Sequence, residues 1–172
     1  METIAVYWEP IIKTYGFSVK TDLSLVKISF PSNWIATFGA KVGELDTNLT
    51  GGGFNLLVGH LFDGKRMQMN LLFENRGTDL IGRLNKLVNK EPAISLHVDT
   101  PVELIYFQGP HYGDRYGIAD AAFSPFNENK ISILASGCSS ASIYIVVSEN
   151  NSGTAVKFLS EKFAVPQFRE EQ

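Results

Sequence analysis

Residues 54–73 read FNLLVGHLF, then Asp63-Gly64, then KRMQMNLLF. Asp-Gly between two apolar-rich runs is the strongest short-range hairpin signal in the chain, because both residues tolerate the backbone that a two-residue turn demands. On the return strand Met67, Met69, Leu71 and Phe73 take alternate positions, with polar Gln68 and Asn70 among the residues between them. That alternation predicts one core face and one solvent face.

Working outward, residues 14–19 (TYGFSV) and 23–30 (LSLVKISF) alternate in the same way, with Thr21-Asp22 reading as a tight connection between two strands. Pro31-Ser32-Asn33 ends the second of them, and Ser32 or Asn33 can cap a following helix. Trp34, Phe38, Val42, Leu45 and Leu49 recur at three- and four-residue intervals, the buried face of that helix. Thr50-Gly51-Gly52-Gly53 stops it. Beyond the hairpin, residues 78–88 form a second helix burying Ile81, Leu84 and Val88, Pro92 breaks the chain, and residues 93–98 close with a strand.

The order then repeats. Residues 102–108 (VELIYFQ) are a strand, 109–117 a loop, 118–126 a short helix, and 131–135 and 142–147 two strands joined by a serine-rich turn. A last helix, 154–163, places Val156, Leu159 and Phe163 at a constant offset from Ile81, Leu84 and Val88. That period is roughly 75 residues, too long for a solenoid and right for a small domain. The reading is an α+β protein of two tandem ferredoxin-like βαββαβ units. The expected boundaries are N-terminal strands in 1–22 packing on the pair, a first unit at 23–99 and a second at 100–172.

Composition narrows the function. The chain has 172 residues and a net charge of -3, which argues against a nucleic-acid binder, since such a protein normally shows a basic face. The single cysteine, Cys138, excludes an intramolecular disulfide and fits a reducing compartment. No apolar run reaches the roughly 20 residues a membrane helix needs, and METIAVYWEP carries Glu2 and Glu9 with no basic start, so no secretory signal is read there. Asn48-Leu49-Thr50 and Asn150-Asn151-Ser152 match the glycosylation pattern by chance. The expectation is a soluble cytoplasmic protein.

Catalytic constellations are missing from the pattern. Gly59 to Arg66 approaches a phosphate-binding loop but ends in Arg and lies in a hairpin. His60, His97 and His111 lack ligand spacing, so neither metal nor cofactor is expected. Cys138 has no local base, and Asp99, Glu103 and Asp114 form no evident acid–base pair. The chain reads as a sensor and not as an enzyme.

Residues 102–163 resemble the last ACT domain of aspartate kinases. Tyr116-Gly117-Ile118-Ala119, Phe123 and Ile131-Ser132-Ile133 match that family's Pro-Gly-Val-Ala, Phe and Ile-Asn-Ile without a gap. Residues 142–147 (SIYIVV) and Ala155-Val156, Leu159 and Phe163 are similar to its serine-started strand and following helix. Gly53-Phe54-Asn55-Leu56 is similar to the Gly-Ile-Asn-Val of the preceding ACT domain, and Gly16 stands where the strand leading into the pair carries glycine. The departures are also plain. The kinase Lys-Phe-Gly-Gly motif is absent, Ser32-Asn33 replaces Pro-Gly, Lys130 and Ser132 replace Gly and Asn, and Pro125 lies where it should shorten or kink the helix.

The resemblance implies an amino-acid site, since a helix N-terminus attracts a carboxylate and an acidic side chain an ammonium. It implies that Asp114, Tyr116, Gly117, Ile118 and Ala119 face Phe54 and Asn55, with a reciprocal set of Ser32, Asn33, Trp34 and Ile35 against Lys130, Ile131 and Ser132. The plainer alternative is that Asn33, Asp114 and Gly117 only cap helices. The polar loop His111 to Tyr116 is either a pocket wall or an exposed connection. The implied ligand is a small amino acid (Lys, Thr or Met by resemblance), bound by a homodimer or alongside a metabolic enzyme partner whose interface it shifts. The rival reading is a ligand-free interaction module or detached regulatory subunit.

Overall fold

Local pattern and tertiary structure agree on most elements. The computed structural model describes residues 11–46, 54–62, 64–74, 80–88 and 91–165. In chain order the elements are β1 (Ile12–Lys13), β2 (Phe17–Pro31), α1 (Ile35–Asp46), β3 (Phe54–Phe62), β4 (Arg66–Glu74), α2 (Leu80–Val88), β5 (Ser95–Gln108), α3 (Ile118–Glu128), β6 (Ile133–Cys138), β7 (Ser142–Ser148), α4 (Ser152–Lys162) and β8 (Phe163–Ala164). They divide into two compact units: 22–102, and the residues up to Thr21 together with Glu103 onward. Both are α+β, with antiparallel ferredoxin-like sheets.

In the 22–102 unit the strand order is β3-β4-β2-β5. β4 is antiparallel to both neighbours, with Ile28 opposite Met69 on one side and Gly59 opposite Met69 on the other. The even-numbered face of β2 (Val26, Ile28, Phe30) and the odd-numbered face of β4 (Met69, Leu71, Phe73) pack against Phe38 and Val42 of α1 and Leu80, Leu84 and Val88 of α2. Phe30 stacks on Phe38 with ring centroids 4.7 Å apart. Each such side chain contributes about 1.5–3 kcal/mol by leaving water. The opposite face is not the solvent face that alternation predicts: Leu25 and Leu72 are fully buried there, and Asn70 is 6% exposed. Asn70 is satisfied by the Gln68 side-chain amide, which donates to its Oδ1 at 3.2 Å.

The other unit has the order β2-β5-β7-β6, using residues 17–21 of β2 and 103–108 of β5. Its core gathers Ile105 and Phe107, Ile143, Ile145 and Val147, and the inner faces of α3 and α4. Phe126 meets Phe158 edge-on at 4.9 Å. β8 pairs in parallel with β1, Ile12 opposite Phe163. Between β1 and β2, Thr14 is fully buried, and its hydroxyl donates to the Gln108 carbonyl at 2.9 Å.

Four expectations change. Thr21-Asp22 is no turn: β2 runs through it with Asp22 at φ 56, because the chain gains more by extending along β5 than by reversing. Strands expected at 93–98 and 102–108 are one, β5. No side chain caps the helices at Ser32 or Asn33; residues 32–34 form a 3-10 turn that follows Pro31 and leads into α1. Pro125 does not end α3, which continues to Glu128 while the Pro125 carbonyl accepts from the Asn129 backbone N–H at 3.0 Å and its side-chain amide at 2.8 Å. The hairpin residue Asp63, the helix stop at 50–53 and Leu49 lie outside the described residues.

Candidate functional site

β5 leaves the sheet at Gln108, and the loop 109–117 turns back over the β6–β7 connection before α3 begins. Gly109 anchors it: its N–H donates to the Ala141 carbonyl at 3.0 Å, and a Cβ there would collide with the Lys13 carbonyl and the Tyr112 ring. Tyr112, only 6% exposed, plugs the loop against Phe163 and Phe107, with centroids at 5.9 and 6.3 Å. That burial pushes its phenol pKa up. Gly117, at φ 85, supplies the left-handed residue from which α3 starts.

Between this loop and the β6–β7 turn lies a cavity of about 250 Å3. Gly117, Ile118 and Ala119 form one wall, Cys138, Ser139 and Ile143 the other, with Tyr112 and Arg115 beside them. The N–H groups in the first turn of a helix have no acceptor within it, and no side chain bonds to the start of α3. The positive helix end and the Arg115 guanidinium therefore meet at one cavity, a setting for a carboxylate. Arg115 also donates from Nη1 to the Ile11 carbonyl at 2.9 Å. Cys138 is an exposed residue at the cavity, and the partial burial of its thiol raises the pKa.

The α4 N-terminus in the same unit is served differently. Glu103, 6% exposed on β5, accepts from the Ser152 N–H at 2.9 Å. Burial opposes its charge, but the bonds from Ser152 and the neighbouring backbone outweigh burial and hold its pKa below the usual value. One helix thus has a resident carboxylate and the other opens on a cavity.

Of the residues expected at a site, Gly117, Ile118 and Ala119 line this cavity. Tyr116 is 89% exposed and Asp114, with its side chain 72% exposed, faces His111 at 3.6 Å; neither is in the cavity wall. Lys130, Ile131 and Ser132 line a second cavity at the far end of α3. In the 22–102 unit, Phe54 packs edge-on against Phe73 and Asn55 sits at a register shift in β3. Ser32 donates its N–H to the Lys65 carbonyl at 2.7 Å, Trp34 leans on Phe30, and Ile35 is 41% exposed at the start of α1. Arg115 was legible only as part of a polar loop, and Cys138, Ser139 and Ile143 join the cavity through sheet pairing that their sequence does not announce. Among the described residues no group of three acidic, His or Cys side chains is placed to hold a metal. No helix among them is long and apolar enough to cross a membrane.

No protein-family model and no curated protein sequence matches the chain. Solved structures do. The ligand-free regulatory subunit of aspartate kinase from Thermus thermophilus superposes with a TM-score of 0.69 at 10% identity, covering 87% of this chain and 98% of that one. The regulatory subunit from Thermus flavus gives 0.72 at 11% identity over the same shares. Aspartate kinase of Clostridium acetobutylicum gives 0.69 at 15% identity, 90% of this chain matching 36% of that enzyme. At these identities the likeness is one of fold: the chain has the fold of aspartate kinase regulatory regions, the one its sequence resembles.

Proposed function

We propose that this chain is a regulatory sensor that binds a small amino acid where α3 opens on its cavity. The observation that carries the reading is the pairing of an uncapped α3 N-terminus with the Arg115 guanidinium at a cavity of about 250 Å3. The ligand carboxylate takes the α3 amides and Arg115. The cavity is smaller than the roughly 300–1,000 Å3 typical of drug-sized ligands, which favours a compact molecule. The fold shared with aspartate kinase regulatory subunits supports a regulatory role.

Arg115 also gives occupancy a way to be felt. A carboxylate drawing on the guanidinium competes with the Ile11 carbonyl. The strap ahead of β2 then loosens, and a dimer or enzyme partner that reads this segment is biased. A ligand shifts such an equilibrium only through its different affinity for the two states.

The test is a thermal-shift screen against the twenty amino acids at millimolar concentration. A ligand present at 100-fold over its Kd adds about 2.7 kcal/mol, a rise of several degrees. One clear hit, abolished in Arg115→Ala, supports the sensor. Silence across the panel sinks it and leaves an interaction module.

A further inference from the structure

We draw no further inference here: the strongest candidate, the surface patch of exposed Ile11, Tyr15 and Val165 along the paired β1 and β8 segments, is an apolar face with nothing in the structure to show what covers it.

Discussion

Glu103 shows how much one residue decides. It is a carboxylate nearly removed from water, retained because the α4 N-terminus supplies N–H donors and a positive dipole end. Glu103→Gln replaces a charge-assisted bond with a weaker one and is expected to cost about 1.5–3 kcal/mol. Its pKa lies below the unfolded value, so the folded state binds fewer protons there. The stabilisation is complete above the ordinary carboxylate range and is lost as pH falls through the depressed folded pKa. Urea midpoints measured from pH 6 down to pH 3 should fall less steeply in Glu103→Gln. Gly109 is decisive for a steric reason. A Cβ there has the Lys13 backbone carbonyl and the Tyr112 ring in its way, and the carbonyl cannot rotate aside. Gly109→Ala should destabilise by about 2–3 kcal/mol in denaturant titration, with loss of the cavity beside α3.

Among elements, α2 is the simplest case: nine residues whose buried positions Leu80, Leu84 and Val88 all face the sheet. Nothing in so short a helix is stable alone, and packing makes it. Leu84→Ala leaves a cavity under β2 and β4 and should cost about 2–5 kcal/mol, read from the shift of the urea midpoint at constant slope. The strap of residues 11–16 is held otherwise, by backbone bonds and few apolar contacts. Thr14 donates its N–H to Ala164 and its hydroxyl to Gln108, and Tyr15 donates its N–H to Gln108. Arg115→Ala removes the added bond to Ile11. Amide hydrogen exchange at residues 12–14 should quicken in that variant while exchange in α4 stays unchanged.

At the scale of the whole molecule, two strands decide the cooperativity. β2 and β5 each give residues to both units, the boundaries falling at 21–22 and 102–103. Neither unit can lose these strands without taking part of the other's sheet. A single transition is therefore expected, with calorimetric and van't Hoff enthalpies equal, and Leu84→Ala should move that whole transition instead of splitting it. Two separate transitions on calorimetry would refute the coupling.

The sequence by itself determined whatever is settled within one element or one turn. The β3–β4 hairpin, the helical spacing of Ile81, Leu84 and Val88 and the alternation along residues 23–30 are local patterns, written where they act, and their repeated order carries the fold class. Tertiary structure alone decided that residues 17–21 join the sheet of the second unit, that Thr21-Asp22 extends, and that Leu25 and Leu72 are buried on a face expected to be wet. It also brought Arg115 to Ile11 and Ser152 to Glu103, partners 104 and 49 residues apart. These depend on which distant strand offers a better edge than water does. No window of sequence contains both sides of that competition.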